Sequence, residues 1–91
     1  MEGRKVEILK PATAGSSESN DILIMISPGD GSVDINLESV VLKQYGDQIE
    51  NVIRQTLEEE GGRSVKLIAK DKGALDFTIK ARVRAAVGRG I

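Results

Sequence analysis

Hydrophobic and polar residues alternate along several short stretches of the chain, which is the pattern of half-buried strands. Val6 and Ile8 alternate with charged neighbours and predict a first strand over Arg4–Lys10. Pro11 would end this strand, because proline cannot donate a hydrogen bond to a sheet ladder. The segment Ala12–Asn20 that follows is small and polar, which is typical of a loop.

Two more strands are expected before the middle of the chain. The nearly continuous apolar run within Asp21–Ser27 predicts a buried or central strand. Val33, Ile35 and Leu37 alternate with polar residues and predict a half-exposed strand. The intervening sequence SPGDG favours a turn, because proline presets one φ and glycine tolerates a positive φ. The two runs are therefore predicted to form a hairpin.

The clearest helical pattern begins at Asp47, which has the spacing of a capping box with Glu50. Gly61 and Gly62 would end this helix, since glycine readily adopts the left-handed conformation found after helices. Val40–Gly46 is ambiguous, because it fits either an extension of the strand or a first helical turn. The apolar stripe of the predicted helix consists of Ile49, Val52, Ile53 and Leu57.

The last third of the chain predicts a fourth strand over Ser64–Lys70, a turn over Asp71–Gly73, and one segment with two competing periods. Apolar residues alternate from Leu75 to Val87 as in a strand, but every second one also falls on a four-residue helical repeat. A length of about 14 residues is long for a strand and ordinary for a helix. The alanines and arginines also favour a helix, so a second helix is predicted.

These elements predict an α+β fold with the order β-β-β-α-β-α. Both helices would cover one face of a mostly antiparallel sheet, because this arrangement buries both apolar stripes. The length of 91 residues predicts one domain spanning the whole chain. We expect residues 1–3 and 88–91 to be frayed at its ends.

The composition excludes several classes of function. Thirteen basic and fourteen acidic residues give a formal net charge of -1, and the only aromatic residues are Tyr45 and Phe77. Neither the charge nor the aromatic content favours nucleic-acid binding. The chain has no cysteine and no histidine, so the usual nucleophile and acid/base pairs cannot be assembled. Asp30 and Asp34 are too few ligands to predict a metal site.

The first residues lack the apolar core of a signal peptide. No apolar run approaches the length of about 20 residues that a membrane span requires. We therefore expect a cytoplasmic protein without a membrane partner.

The sequence AGSSESND, residues 14–21, places Ser16, Ser17 and Ser19 just before the apolar strand. Such a segment is typical of a polar loop whose hydroxyls bond nearby backbone groups. A chemically modified serine is the more specific interpretation, and serines in a loop do not by themselves establish it.

This segment resembles the modification segment of the acyl carrier (gamma) subunit of citrate lyase, whose pattern is Ala-Gly-Thr-x-Glu-Ser-x-Asp. Ser16 stands where the family usually has threonine, which keeps a hydroxyl. KQYGDQI and DKGALDFTIKARV resemble two further family motifs in the same order and spacing. The similarity extends from about Pro11 to Val87. The residues that match the first motif are Ala14, Gly15, Glu18, Ser19 and Asp21.

The resemblance implies a non-catalytic carrier in which Ser19 holds 2'-(5''-phosphoribosyl)-3'-dephospho-CoA through a phosphodiester. The thiol of this group would carry the acetyl or citryl thioester between the alpha (citrate:acyl-carrier transferase) and beta (citryl lyase) subunits, as citrate is cleaved to oxaloacetate and acetate. A separate transferase would attach the group, so protein made without it is expected to be unmodified. Gly15, Glu18 and Asp21 would assist recognition by that transferase, although both acidic residues also fit local caps.

Three alternatives stay open at this point. The carrier could serve a citramalate lyase or a malonate decarboxylase, or the chain could be an unmodified interaction or assembly module. The basic residues near the C-terminus fit a solvated helix face, and they also fit contacts with cofactor phosphates or an acidic partner. They are Lys80, Arg82, Arg84 and Arg89.

Overall fold

The structure is a computed structural model that describes residues 6–91. Its elements follow the predicted order β-β-β-α-β-α, which confirms the α+β fold. The elements are β1 (Ala12–Gly15), β2 (Ile22–Pro28), β3 (Val33–Ser39), α1 (Leu42–Glu59), β4 (Val65–Asp71) and α2 (Asp76–Gly90).

The four strands form one sheet in the order β1-β2-β4-β3. β2 pairs antiparallel with β1 and with β4, and β3 pairs parallel with β4. The sheet is therefore mostly antiparallel, as predicted. The predicted β2–β3 hairpin is wrong, because β4 lies between these strands. α1 connects β3 to β4 as a crossover, which is the type of connection that a parallel pair requires.

The first strand was predicted over Arg4–Lys10, and this prediction is wrong for the described part of the range. Val6 forms only an isolated bridge to Gly62, and no strand follows it before residue 12. The backbone N–H of Leu9 instead donates to the carbonyl of Gly90, at 2.8 Å. The segment therefore packs against the end of α2, and residues 4 and 5 lie outside the described residues.

The first strand of the sheet lies within Ala12–Asn20, the segment interpreted from sequence as a loop. β1 occupies Ala12–Gly15, and Ala14 pairs with Ile24 on β2. Ala14 is buried and α2 packs against β1. A small side chain suits this position because the helix crosses the edge strand closely.

The helical interpretation of the last segment is correct, since α2 spans Asp76–Gly90. Ile79, Val83 and Val87 recur every four residues and are buried. Phe77, which fits only the two-residue alternation, is 71% exposed. Residues 88–90 were expected to fray, but they belong to α2 and Gly90 is buried.

α1 begins at Leu42 and not at Asp47, so it includes most of the ambiguous segment Val40–Gly46. Asp47 lies inside the helix and does not cap it. The predicted apolar stripe is correct, because Ile49, Ile53 and Leu57 are buried. Gly46 lies within this helix, where a glycine costs about 1 kcal/mol. Packing of the apolar stripe against the core therefore outweighs this cost.

Both helices lie on the same face of the sheet, with α2 over β1 and β2 and α1 beside α2 against β3. The core between the layers is aliphatic and built mainly from isoleucine, valine and leucine. On the opposite face, Leu23 and Met25 are half-buried and Ile68 is exposed. Within residues 6–91, neither helix combines the length and the hydropathy needed to cross a membrane.

Candidate functional site

Ser19 occupies the corner of the turn that connects β1 to β2. The backbone N–H of Asp21 donates to the carbonyl of Glu18 at 3.1 Å, which closes a four-residue turn. Asn20 has φ of 65°, and a positive φ at the third position is the feature of a type II turn that asparagine tolerates. Ser19 is therefore the second residue of the turn, and it is exposed.

Backbone hydrogen bonds fix this turn to the end of β4. The N–H of Asn20 donates to the carbonyl of Lys72 at 2.8 Å, and the N–H of Lys72 donates to the carbonyl of Asp21 at 2.9 Å. Ile22, the first residue of β2, pairs with Asp71, the last residue of β4. The sheet thus positions the Ser19 turn as an extension of its own ladder.

The three serines of the turn have different environments. The hydroxyl of Ser16 donates to Asp21 Oδ2 at 2.7 Å and accepts from the N–H of Glu18 at 3.3 Å. Ser17 and Ser19 are exposed, and nothing in the described part of the chain forms a hydrogen bond with either hydroxyl. The structure therefore separates Ser16 from the other two and does not choose between Ser17 and Ser19.

The carboxylate of Asp21 is the centre of a local hydrogen-bond network. Arg82 on α2 approaches it with Nε 3.0 Å from Oδ1 and Nη2 3.3 Å from Oδ2. The N–H of Ile22 donates to Oδ1 at 2.7 Å. The bonds from Arg82, then from Ser16, and that from Ile22 outweigh partial burial and lower the pKa of Asp21 to about 2. The bond from the N–H of Ile22 is the kind of local backbone contact that one of the two sequence interpretations of Asp21 predicted, whereas the bonds from Arg82 are long-range.

Gly15 is required by the backbone at the end of β1. Its φ is 87°, a conformation that residues with a side chain rarely adopt. A methyl group built on Gly15 would collide with the carbonyl oxygen of Ile22 and lie 3.3 Å from Cδ of Arg82. Gly15 therefore lets the two strands and the Arg82 side chain approach one another beneath the Ser19 turn.

The other basic residues of α2 have separate contacts. Arg84 pairs with Glu59 on α1 at 3.3 Å, and Arg89 donates from Nη1 to the carbonyl of Thr13 at 2.8 Å. Lys80 is half-buried on the same helix. Three of the four cations, counting Arg82, thus link α2 to neighbouring elements within the domain.

Asp71 is a second carboxylate centre that the sequence interpretation treated as part of a turn. It is only 2% exposed. Its Oδ2 accepts from the hydroxyl of Ser39 at 2.7 Å and from the N–H of Gly73 at 3.1 Å, and its Oδ1 accepts from the N–H of Ala74 at 2.9 Å. Ser39 in turn accepts from the N–H of Val41 at 3.1 Å. Asp71 therefore joins the ends of β3 and β4 to the segments that precede both helices.

Asp30 and Asp34 are both exposed. Among residues 6–91, no group of three or more histidine, cysteine, aspartate or glutamate side chains has an arrangement that would hold a metal ion.

Comparison with known proteins identifies the family. A family model described as "Malonate decarboxylase delta subunit (MdcD)" matches residues 9–90. Citrate lyase acyl carrier protein of Lactobacillus helveticus is 54% identical over 84 residues, which cover 92% of this chain and 87% of that protein. The protein of the same name from Halothermothrix orenii is 44% identical over 84 residues, covering 92% and 89%. The chain therefore belongs to the citrate lyase acyl carrier protein family, which the broader family model groups with the malonate decarboxylase delta subunit.

The fold also has a counterpart among solved structures. A chain in the crystal structure of a Pseudomonas malonate decarboxylase hetero-tetramer in complex with malonate superimposes with a TM-score of 0.76. The alignment covers 97% of this chain and 91% of that chain, at 13% sequence identity. At this identity the similarity concerns the fold alone, and it agrees with the α+β architecture predicted from sequence.

Proposed function

We propose that this chain is the acyl carrier subunit of a citrate lyase and has no catalytic activity of its own. The observation that carries the proposal is the similarity to citrate lyase acyl carrier proteins, at 44% to 55% identity over 84 residues. A carrier contributes position and reach rather than bond-breaking chemistry. The absence of histidine and cysteine from the sequence is compatible with that role.

Ser19 is the proposed attachment residue for the phosphoribosyl-dephospho-CoA group, through a phosphodiester to its hydroxyl. The exposure of Ser19 at the corner of a turn, without a hydrogen-bond partner among the described residues, fits covalent attachment. Ser16 is less suitable, because its hydroxyl already bonds Asp21. Ser17 is exposed as well, and the motif match favours Ser19 over it.

The attached group would supply a thiol that carries the acyl unit as a thioester. The residues of this chain would hold the attachment point in place, because Asn20 bonds Lys72 and Asp21 bonds Arg82. Gly15 would keep the backbone beneath the turn in its close approach. Glu18 is exposed and is therefore the acidic residue that a modifying transferase would meet most directly.

The proposed partners are the alpha subunit that transfers the carrier onto citrate, the beta subunit that cleaves the citryl thioester, and the transferase that attaches the group. The proposed location is the cytoplasm, where these subunits and their substrate would meet. These partners would catalyse the reactions for which the carrier has no catalytic residues.

Intact mass spectrometry tests the proposal. The protein is produced together with the modifying transferase, and its mass is compared with that of protein made without the transferase. We expect an adduct of phosphoribosyl-dephospho-CoA that Ser19→Ala abolishes and that Ser16→Ala and Ser17→Ala retain. An unmodified wild-type protein under these conditions, or an adduct that survives Ser19→Ala, would contradict the assignment.

A carrier of malonate decarboxylase is the second candidate, because the family model that matches residues 9–90 is named for that complex. Both carriers would bear the same kind of group, so the mass of the adduct does not separate them. Acetylated holo-protein should therefore be mixed with citrate lyase alpha and beta subunits and citrate, and in parallel with the malonate decarboxylase subunits and malonate. Formation of oxaloacetate in the first mixture, without release of CO2 from malonate in the second, supports the citrate lyase assignment.

A further inference from the structure

β3 is an edge strand whose outer side is open. It is the last strand in the order β1-β2-β4-β3, and no strand within residues 6–91 pairs with its outer side. It is seven residues long, its register with β4 is continuous, and its sequence VDINLES contains neither proline nor glycine. Short length, bulges and proline are common features that protect an edge strand from pairing, and β3 has none of them.

The opposite edge of the sheet is protected. β1 has only four residues, follows Pro11 and ends at Gly15, whose φ is 87°. α2 also packs against this strand. The comparison identifies β3 as the edge at which the sheet can accept another strand.

The bonds between β3 and β4 determine which backbone groups of β3 face outwards. The carbonyl of Ser32 accepts from the N–H of Val65 at 3.0 Å, and the N–H of Val40 donates to the carbonyl of Asp71 at 3.3 Å. Backbone groups of successive strand residues point to alternate sides, so the even-numbered residues of β3 bond β4. The odd-numbered residues whose N–H and C=O groups therefore face outwards, without a hydrogen-bond partner within residues 6–91, are Val33, Ile35 and Leu37.

The side chains of these three odd-numbered residues form an aliphatic row that is incompletely covered. The row packs against the core from the helix side of the sheet, but each of its members is only half-buried. On the neighbouring strand, Val65, Leu67 and Ala69 are at most 1% exposed. A further strand beside β3 would remove the row from water with aliphatic side chains of its own.

Asp34 and Glu38 project from the other face of β3. Both are exposed, and neither forms an ion pair within residues 6–91. Lys66 and Lys70 on β4 lie opposite them in the register, whereas their outer side is open. Opposite charges placed directly across two strands stabilise the pairing of the strands. A further strand with cationic side chains at these positions would therefore place each carboxylate between two cations.

The same two acids disfavour pairing of β3 with a second copy of itself. In the twofold antiparallel arrangement that uses all seven residues, Asn36 would lie opposite Asn36 of the second copy, and Asp34 would lie opposite its Glu38. Like charges directly opposite each other destabilise such a pair. The edge therefore favours a segment with a different, basic sequence.

We propose that the outer edge of β3 binds an extended segment of a partner protein in which lysine or arginine alternates with aliphatic residues. The segment would add a strand to the sheet through backbone hydrogen bonds, and its cations would lie beside Asp34 and Glu38. Because β1 and β3 are opposite edges of the sheet, this partner would leave the Ser19 turn accessible. The binding itself does not depend on the proposed carrier function.

The test is a titration of unmodified protein with a seven-residue peptide that alternates lysine with valine, followed by amide hydrogen exchange. We expect the amides of Val33, Ile35 and Leu37 to become protected, whereas those of Asp34 and Asn36 already bond β4 and should change little. A peptide with glutamate in place of lysine should not bind. Binding without this alternating protection would show an electrostatic attraction alone and would overturn the added strand.

Asp34→Asn and Glu38→Gln test the contribution of the charges. Each should weaken binding about threefold, and the double variant should weaken it about tenfold. Asp76→Asn is the matched control, because Asp76 is an exposed carboxylate on α2, which does not contact β3. Equal weakening by Asp76→Asn would attribute binding to the overall charge of the protein and would overturn the site.

Two N-methylated peptides test the backbone pairing without changing the protein. Only one of the two alternating sets of peptide N–H groups faces β3 in a paired strand. Methylation of the valine nitrogens and methylation of the lysine nitrogens should therefore differ, with one peptide losing binding and the other retaining it. Equal binding of both peptides would contradict a paired strand.

The remaining outcome concerns a second copy of the chain. Protection of the outward amides of β3 in concentrated protein without peptide, together with a concentration-dependent dimer in sedimentation, would identify the second copy as the occupant and overturn the basic segment. The mass-spectrometric test of Ser19 is separate from all of these measurements, so either proposal can fail while the other stands.

Discussion

The guanidinium of Arg82 on α2 forms two hydrogen bonds with the carboxylate of Asp21, at 3.0 Å and 3.3 Å, across 61 residues of sequence. The pair connects the second helix to the last residue before β2. Because Asp21 also accepts from Ser16, the same carboxylate fixes the start of the Ser19 turn. A long-range contact thus determines the shape of a segment that looks local in sequence.

Arg82→Gln is expected to lower the free energy of unfolding at neutral pH by about 1 kcal/mol, after allowance for water around the half-exposed guanidinium. The pKa of Asp21 is lowered from 3.8 to about 2 in the folded protein. Its ionised form therefore stabilises the fold above pH 3.8, and this contribution disappears as the pH falls towards 2. Urea unfolding at a series of pH values between 2 and 7 measures both effects.

The variant should show a weaker dependence of stability on pH in the acid range than the wild-type protein. Some dependence should remain, because Ser16 and the N–H of Ile22 still bond the Asp21 carboxylate. Arg84→Gln is the control, since Arg84 is half-exposed and pairs with Glu59, the last residue of α1, and with Glu60, which follows it. An acid dependence in Arg82→Gln as steep as in wild type would contradict the role of this pair.

Gly15→Ala is expected to destabilise the protein by at least about 2 kcal/mol, because a positive φ and a steric collision act together. The collision is with the carbonyl oxygen of Ile22, which is backbone and cannot move aside cheaply. Gly31→Ala is the matched control: its φ is also positive, at 106°, but no atom lies within 4 Å of the added methyl group. That variant should cost about 1 kcal/mol, and thermal or urea unfolding of both variants measures the difference.

The elements that were predicted correctly are those in which the spacing of apolar side chains reflects which side faces the core. Ile79, Val83 and Val87 recur at helical spacing because one side of α2 faces the core. β1 was missed because Ala12–Gly15 has few residues with strand preference, and its pairing depends on β2 and on the helix above it. The β2–β3 hairpin was predicted from adjacency in sequence, whereas the actual neighbour of both strands is β4.

The candidate site was predictable only in part for the same reason. A motif drew attention to Ser19 and Asp21, but nothing in the local sequence connects Asp21 to Arg82. For Asp71 a signal was present, because the alternation of Val65, Leu67 and Ala69 continues to residue 71 and places it on the buried side of β4. A buried acid at that position requires hydrogen-bond donors, but Asp71 was assigned from sequence only to the turn that follows β4.

Asp71→Ala is expected to lower the free energy of unfolding by about 3 kcal/mol. The substitution removes the acceptor for the hydroxyl of Ser39 and for the N–H groups of Gly73 and Ala74. Asp34→Ala, which removes an exposed carboxylate from β3, should change the stability by less than about 0.5 kcal/mol. Similar losses in the two variants, measured by urea unfolding, would show that the buried network contributes little.

The three serines of the turn should separate stability from modification. Ser16→Ala removes the donor to Asp21 and the acceptor for the N–H of Glu18, so it should cost about 1 kcal/mol in urea unfolding. Ser17→Ala and Ser19→Ala should each change the stability by less than about 0.5 kcal/mol, since both side chains are exposed. The adduct should depend on a different serine, because only Ser19→Ala should abolish it. Loss of the adduct in Ser19→Ala without loss of stability would attribute the effect to the hydroxyl itself, whereas a destabilised Ser19→Ala would contradict an unbonded hydroxyl at the corner of the turn.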